Sequence, residues 1–289
     1  MASQQEILKR AQPWLQEPFD EATQREVRRL IESDPKGLSD AFFKELSFGT
    51  GGMRGIMGVG TNRINIYTIR AATQGLANYL NNQPPCEKGR SVFIGFDVRR
   101  HSKEFAQEAA RTLAGNGIRV YLTKEICPTP LVSFGCRYYN CQAAIVITAS
   151  HNPPQYNGYK VYWSDGGQVV APHDVGIMEE VRRIQDARQI LVASEDSPLI
   201  QEVGKELDEA YLVQLKKLPL YPDLQGSDLQ ILYTPLHGTG VRIMQSALET
   251  YGFRNLAFVE EQKIPDGAFS FAPSPNPDRK STRLNSSHG

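Results

Sequence analysis

The segment VITASHNPPQYNGYKVYW, residues 146–163, places a serine and a histidine directly after an apolar run. Ser150 and His151 are followed by Asn152 and by two prolines, which make the bend rigid. A hydroxyl held on such a bend could act as a nucleophile or carry a phosphoryl group. A phosphate there would find donors in backbone N–H groups, His151, Asn152 and Lys160. These residue types in this order indicate a candidate covalent site.

A serine hydrolase is the first alternative for Ser150, and the flanking residues argue against it. The nucleophile elbow G-x-S-x-G is absent, because Thr148 and Ala149 precede the serine and His151 follows it. Adjacent side chains on a sharp turn rarely face one another, so we do not expect a Ser150–His151 dyad. A serine that carries a phosphoryl group is the second alternative, and a Ser-His-Asn triplet without a catalytic role is the third.

The glycine-rich segment FGTGGMRG, residues 48–55, could bind an anion. It is not a dinucleotide motif, because the residues before it are predicted to be helical, and it is not a P-loop, because no G-K-[ST] follows. A flexible loop here would bring backbone N–H groups at Thr50 and Gly51, together with the Arg54 guanidinium, to a phosphate. The alternative is a glycine-rich connector with a solvated arginine.

The segment FDVRRHS, residues 96–102, places polar side chains between a predicted strand and a predicted helix. Asp97 ends the strand, and Arg99 follows it at a position suited to anion binding. His101 or Ser102 could instead cap the helix.

Two further residues allow either a site role or a structural one. Lys160 lies on a short predicted strand, where most lysines are solvated edge residues. It follows the segment around Ser150 (residues 148–156, the serine loop) closely enough to donate a proton or bind phosphate. His237 lies in TPLHGTG, residues 234–240, at a strand-to-helix turn, and we favour a plain turn over a site role there.

Helices and strands alternate along the chain that carries these residues. Helical spacing predicts helices over 21–33 and 39–48, the second with Ser39 as its N-cap. From residue 91 the order strand, helix, strand, helix, strand predicts an α/β fold whose mainly parallel mixed sheet is sandwiched by helices. Ligands collect beyond the carboxyl ends of such strands, which is where Ser150 lies.

The same pattern divides the chain into four parts. Residues 1–40 form an N-terminal helical segment, and residues 41–190 form an α/β domain that contains the serine loop. Residues 191–278 begin a second, incomplete α/β domain after a polar, turn-rich boundary. Residues 279–289 show neither the helical nor the strand spacing of hydrophobic residues, and we expect a disordered or foreign tail.

Composition excludes several classes of protein. Hydrophobic residues are 40% and charged residues 22% of the 289, as in globular proteins. Lys plus Arg and Asp plus Glu are both 32, so no global field draws the chain to nucleic acid or to an anionic membrane. Its four cysteines form no C-x-x-C pair, and no run approaches the ~18 apolar residues of a membrane helix. We expect a cytoplasmic protein with reduced thiols, and the sequence makes no prediction of its oligomeric state.

Taken together, the motifs resemble the α-D-phosphohexomutase family, the phosphoglucomutases and phosphomannomutases. TASHNPPQYNGYK is similar to the family's phosphoserine loop, and FGTGGMRG to its N-terminal phosphate-contacting loop. GFDVRRHS and TPLHGTG are similar to recurring family segments. The continuation NGYKVYWSDGGQVVAPHD is most similar to the branch with phosphoglucomutase-2, the phosphopentomutases and glucose-1,6-bisphosphate synthase. The resemblance runs from about residue 40 to about residue 278.

The resemblance implies a phosphosugar mutase that acts through phosphorylated Ser150. The serine would donate its phosphoryl group to a small sugar monophosphate, the resulting bisphosphate would reorient, and its other phosphate would return to the serine. A sugar bisphosphate would therefore activate the enzyme. Interconversion of glucose 1- and 6-phosphate, or of ribose or deoxyribose 1- and 5-phosphate, would follow. The implied catalytic set is Ser150, His151, Lys160 and Arg54, and the implied phosphate- or substrate-binding set is Thr50, Gly51, Arg54, Arg99, Asn152 and Lys160.

The family's magnesium site is the main departure. The resemblance implies Mg²⁺ bound by the Ser150 phosphate and by an acidic D-x-D-x-D-R loop, but this chain offers only Asp278 in PNPDR. Magnesium held by one phosphate would bind weakly, since it prefers several oxygen ligands. We therefore expect an inactive piece of a mutase. Glucose-1,6-bisphosphate synthase and a non-catalytic sugar-phosphate-binding module are the alternatives.

Overall fold

Helices and strands alternate along the chain as the hydrophobic periodicity predicts. The structure is a computed structural model, and it describes residues 3–46, 52–84, 89–218, 221 and 228–276. The strands are β1 (Gly52–Ile56), β2 (Ser91–Phe96), β3 (Arg119–Thr123), β4 (Ala143–Ile147), β5 (Tyr156–Trp163), β6 (Ile200–Val203), β7 (Ile231–Tyr233) and β8 (Leu256–Phe258). The helices are α1 (Gln4–Ala11), α2 (Glu21–Ser33), α3 (Pro35–Phe42), α4 (Ile66–Asn81), α5 (Ser102–Gly115), α6 (Thr129–Tyr138), α7 (His173–Arg183), α8 (Lys205–Leu215), α9 (Met244–Thr250) and α10 (Glu260–Lys263).

A six-stranded sheet in the order β1-β5-β4-β2-β3-β6 organises the first part of the chain. The pairs β4–β2, β2–β3 and β3–β6 are parallel, while β5 runs antiparallel to both β1 and β4. Every residue of β2 and of β4 is buried, which explains their continuous apolar sequences. The predicted mainly parallel mixed sheet is confirmed.

Helices cover both faces of this sheet. Leu76 of α4, Leu113 of α5 and Ile177 of α7 belong to the core on one face. Leu131 of α6 and Leu207 of α8 belong to the core on the other. Among the residues that the structure describes, no helix is long and apolar enough to cross a membrane.

The N-terminal helices form a separate aromatic cluster against the first residues of α4.

The start of α3 differs from the prediction, since Asp34 and not Ser39 is its N-cap and accepts a hydrogen bond from the Gly37 amide at 2.8 Å. Pro35 suits the first helical position because its φ is already helical. The helix therefore begins four residues earlier than the predicted cap and ends at Phe42.

The region that we predicted as a turn-rich domain boundary contains a strand. β6 lies within it and pairs in parallel with β3, so the first sheet extends to Val203 rather than ending near residue 190. Only Val203 of its four residues is buried, as expected of an edge strand with no apolar alternation to mark it. Beyond it, β7 and β8 pair in parallel and begin the second α/β unit.

The close approach of β1, β5 and β4 predicts the effect of a single methyl group. A Cβ on Gly158 would lie 2.7 Å from the carbonyl oxygens of both Met53 in β1 and Thr148, the residue directly after β4. We expect Gly158→Ala to lower the free energy of unfolding by about 3 kcal/mol, measured by urea denaturation.

Gly167→Ala is the matched control for this substitution. Gly167 is exposed, and the nearest atom to its added Cβ is a carboxylate oxygen of Asp165 at 3.2 Å, on an exposed side chain that can shift by the few tenths of an ångström required. Gly167→Ala should change the free energy of unfolding by no more than about 0.5 kcal/mol. Equal denaturation midpoints for the two variants would contradict the strand spacing described here.

Candidate active site

Ser150 projects from the carboxyl end of β4 at the surface of the molecule. Its side chain is exposed, and its φ of 58° lies in the left-handed region, which is costly for a residue with a side chain. Its amide donates a hydrogen bond to Thr148 Oγ1 at 2.9 Å. The hydroxyl is thus presented to solvent on a bend that the surrounding structure must hold in place.

The guanidinium of Arg99 supplies most of that constraint. Its Nη2 donates to the carbonyls of Ser150 at 2.8 Å and Asn152 at 2.6 Å, and its Nη1 to those of Pro153 at 2.9 Å and Tyr156 at 3.0 Å. Its side chain is 0% exposed. We predicted Arg99 as a phosphate ligand, and this prediction is wrong because the group is sealed from solvent and committed to the serine loop.

Asp97 neutralises Arg99 and extends the network. Its carboxylate lies 3.3 Å from Arg99 Nε and accepts hydrogen bonds from the Arg99 amide at 2.9 Å and Ser102 Oγ at 2.7 Å. Asn157 Nδ2 donates to Ser102 Oγ at 3.0 Å. Burial raises the pKa of Asp97, while hydrogen bonds from Thr148 and the Arg99 amide, and the Arg99 charge, act in the opposite direction. The network ties β2, β5 and the serine loop together.

The capping interpretation for this segment is wrong. His101 occupies the N-cap position of α5 with φ of 62°, but its side chain makes no capping hydrogen bond. Its Nδ1 instead lies 2.5 Å from Glu104 Oε2. Ser102 is buried, and its hydroxyl belongs to the Asp97 network rather than to the helix end.

Two cations line the face of the sheet beside the serine loop. Arg54 pairs with Gly158, and Gly52 with Lys160, in the β1–β5 register, so the two side chains point to the same face. Arg54 Nη1 donates to Asn152 Oδ1 at 3.0 Å. Burial and the positive charge of Arg54 lower the pKa of Lys160. This face of the sheet therefore carries one exposed guanidinium, bonded to Asn152 of the serine loop, and one half-buried amine.

His151 contacts the serine, contrary to the prediction. Its Nδ1 lies 3.3 Å from Ser150 Oγ, a long hydrogen bond between adjacent residues. The left-handed conformation of Ser150 turns the chain sharply, which lets the two side chains meet. The expectation that neighbours on this turn would not face one another is wrong.

The glycine-rich segment is ordered where the structure describes it. From Gly52 onward it forms β1, an edge strand of the sheet, so the predicted flexible loop is wrong for these residues. Thr50 and Gly51 lie outside the described residues. Within the described ranges, no group of three or more His, Cys, Asp or Glu side chains could hold a metal ion.

Sequence reasoning gave no role to Thr148 and Asn157. Thr148 ends an apolar run and Asn157 opens a buried strand, and each is a short polar residue that must find hydrogen-bond partners once buried. The need of a buried polar side chain for a hydrogen-bond partner was the signal in the sequence that could have identified these two residues. It does not identify the partner itself, which for Asn157 lies more than 50 residues away.

Comparison with known proteins identifies two adjacent family matches. Residues 45–188 match the model for phosphoglucomutase/phosphomannomutase α/β/α domain I, and residues 209–287 match the model for domain II. The second match includes residues 279–287, which the sequence analysis set apart as a non-family tail and which lie outside the described ranges.

Curated relatives and solved structures agree with these matches. The chain is 37% identical to the phosphopentomutase of Homo sapiens over 92% of its own length and 45% of the relative's. It is 38% identical to the phosphoglucomutase of Staphylococcus haemolyticus (strain JCSC1435) over 83% of its own length and 43% of the relative's. A solved structure described as a phosphomannomutase from Thermus thermophilus superposes with a TM-score of 0.66 at 28% identity, covering 78% of this chain and 48% of that one. The chain thus spans less than half the length of these relatives.

The four carbonyl contacts of Arg99 predict a localised effect of its loss. Arg99→Met would leave the Asp97 carboxylate and the loop carbonyls without their partner. We expect it to lower the free energy of unfolding by about 3–5 kcal/mol. Amides of the serine loop should also exchange with solvent faster, measured by hydrogen exchange and mass spectrometry.

Arg100→Met is the control, because it removes the same charge from an exposed neighbour. Its effect on unfolding should stay within about 0.5 kcal/mol. Unchanged loop exchange in a folded Arg99→Met protein would show that Arg99 does not hold the loop.

Proposed function

The chain belongs to the phosphoglucomutase/phosphomannomutase family, and from that premise we propose that Ser150 carries the phosphoryl group in an intramolecular transfer on a sugar phosphate. The observation that supports this role most is the exposed hydroxyl of Ser150, held in a left-handed bend by a buried arginine. Phosphoryl transfer depends on positioning and charge neutralisation more than on covalent chemistry by the protein. The serine loop provides the positioning, and Arg54 and Lys160 provide the charge neutralisation.

The transfer step begins with a sugar bisphosphate. The bond between phosphorus and the sugar oxygen breaks, a bond from phosphorus to Ser150 Oγ forms, and the hydroxyl proton passes to a base. His151 Nδ1, 3.3 Å from Oγ, and Lys160 are the candidate bases. A lowered pKa raises the fraction of Lys160 that is neutral and able to accept a proton. The departing sugar oxygen takes up a proton, and the reverse step phosphorylates a sugar monophosphate.

Arg54 would neutralise charge on the transferring group. Its exposed guanidinium donates one hydrogen bond to Asn152 Oδ1, two residues from Ser150, and keeps further donors for a phosphate on the serine. The proposed substrates are sugar monophosphates of the glucose or pentose class. The named relatives, a phosphopentomutase and a phosphoglucomutase, support that class.

The described residues do not fit a complete magnesium site. No group of three or more potential ligands occurs among them, and Asp278, the acid that the sequence offers, lies outside the described ranges. We therefore assign no step to the metal. We further propose that this chain alone does not complete the mutase cycle, because its 289 residues contain no D-x-D-x-D-R segment. Interconversion of glucose 1- and 6-phosphate at ordinary enzymatic rates would overturn this proposal.

Phosphorylation of Ser150 can be measured directly. Incubation of the purified chain with glucose 1,6-bisphosphate should add one phosphate, detected by intact-mass spectrometry and located on Ser150 by peptide mapping. Ser150→Ala should abolish the gain, whereas Ser246→Ala, at an exposed position in α9, should leave it unchanged. No gain in the folded wild-type chain would favour a non-catalytic sugar-phosphate-binding module.

The lowered pKa of Lys160 predicts opposite effects on stability and on chemistry. Below its folded-state pKa, Lys160 is charged in an environment that disfavours the charge, so it destabilises the fold at neutral pH. Lys160→Met should therefore raise the free energy of unfolding at pH 7, by less than about 1 kcal/mol because the side chain is only half-buried. The gain should shrink as the pH rises from the folded-state pKa toward the unfolded value of about 10.4, where the native penalty disappears.

The same substitution should slow phosphorylation of Ser150 by about 100-fold, because a proton-transfer group is lost. Lys103→Met removes an equal charge from an exposed position in α5. It should change neither the free energy of unfolding nor the rate of Ser150 phosphorylation appreciably. A Lys160→Met protein that is less stable at pH 7, or that is phosphorylated at the wild-type rate, would contradict this assignment.

A further inference from the structure

His237, from the TPLHGTG segment, is buried and bonded through both ring nitrogens. Its side chain is 2% exposed, its Nδ1 lies 2.7 Å from the Ile264 carbonyl, and its Nε2 lies 3.1 Å from the Phe271 amide. Because an amide can only donate, Nε2 accepts, and the proton therefore sits on Nδ1 and is donated to Ile264. One imidazole thus joins the two ends of the segment 264–271, which we call the bridging loop.

The bridging loop is itself tightly folded. Asp266 accepts hydrogen bonds from the amides of Ala268 at 2.8 Å and Ser270 at 2.9 Å. Phe269 adopts a positive φ of 53° and is 4% exposed. A bulky residue held in the left-handed region indicates that its surroundings fix its orientation.

The bridging loop packs directly on the turn that carries Arg99. The Arg99 guanidinium lies 5.0 Å from the centroid of the Phe269 ring, within the range of a cation–π contact. A Cβ on Gly267 would lie 2.8 Å from the Val98 carbonyl oxygen and 2.9 Å from the Arg100 amide nitrogen. The two backbones therefore approach closely enough that only glycine fits between them.

We propose that His237 is a positioning residue for Ser150 and acts across the two α/β units. The imidazole fixes the bridging loop, the loop places Phe269 over the Arg99 guanidinium, and Arg99 holds the carbonyls of the serine loop. Covering the guanidinium with an aromatic ring excludes water, which strengthens its hydrogen bonds to the loop. The inference rests on the proposed function of Ser150, but the contacts that carry it do not depend on phosphate.

A purely local role for His237 makes a different prediction. If the imidazole only stabilised the second unit, its loss would lower stability without changing the serine loop. If it acts through Arg99, its loss should loosen the serine loop in the folded state. Three amides report on that loop, since those of Ser150, Asn152 and Tyr156 make hydrogen bonds within it.

The test compares substitutions at His237 by native-state hydrogen exchange, without any sugar phosphate. In His237→Ala we expect the serine-loop amides to exchange about tenfold faster, as for couplings carried through packed contacts. His237→Asn retains a donor near the position of Nδ1, and His237→Gln retains an acceptor near that of Nε2. Each should restore part of the protection. Phe269→Leu, which leaves His237 in place, should raise loop exchange in the same direction.

Ile243→Ala is the matched control, because it removes buried apolar contacts from the second unit outside the bridging loop. It should lower stability while leaving serine-loop exchange at the wild-type rate. If His237→Ala and Phe269→Leu behave like this control, the proposal is overturned. Should His237→Ala fail to fold, Phe269→Leu and His237→Asn decide the question in the same way.

Phosphorylation by glucose 1,6-bisphosphate provides the second readout. In His237→Ala the maximal rate of Ser150 phosphorylation should fall about tenfold, while the half-saturating concentration of bisphosphate changes less than about twofold, since the nucleophile and not the binding surface is displaced. The double variant with Phe269→Leu should be no slower than His237→Ala, because both act along one chain of contacts. Additive losses would overturn the proposal. Failure of the wild type to accept phosphate would overturn the proposed function of Ser150. The hydrogen-exchange result would then decide on its own whether His237 positions the serine loop.

Discussion

The hydrogen bonds from Arg99 to the serine loop are the constraint on which the candidate site depends. A bend that leaves a parallel sheet turns several carbonyls inward, and buried carbonyls need donors. One guanidinium satisfies four of them, and Asp97 balances its charge. A buried ion pair repays its desolvation only when its hydrogen bonds are nearly complete, and this one gains most of them from the loop. The left-handed conformation of Ser150 persists because the loop around it has little freedom to relax.

The cationic side of the site depends on a different part of the fold. Arg54 lies on β1 and Lys160 on β5, and among the described strands β1 is an edge strand that pairs only with β5. The N-terminal helices contact the segment between β1 and α4, since the Ala41 carbonyl accepts a hydrogen bond from the Asn62 amide at 2.9 Å. Asp40 and Arg63 form an ion pair at the same contact. The helical segment that precedes the family match thus fixes the segment that follows the strand carrying Arg54.

The second unit packs against the turn that carries Arg99. Its bridging loop places an aromatic ring over Arg99, and His237 closes that loop. This loop is therefore in packing contact with the arginine that holds the Ser150 carbonyl.

The sequence by itself determined the order of the elements, the mainly parallel sheet and the exposure of Ser150. Continuous apolar runs, helical spacing and a Pro-Pro bend are local signals, and each reports on burial or backbone shape where it occurs. Only the tertiary structure decided that Arg99 holds carbonyls instead of phosphate, that β6 joins the first sheet, and that Phe269 covers Arg99. Such contacts join residues far apart in the chain, and a side chain's donors and acceptors do not specify which distant backbone will come to meet them.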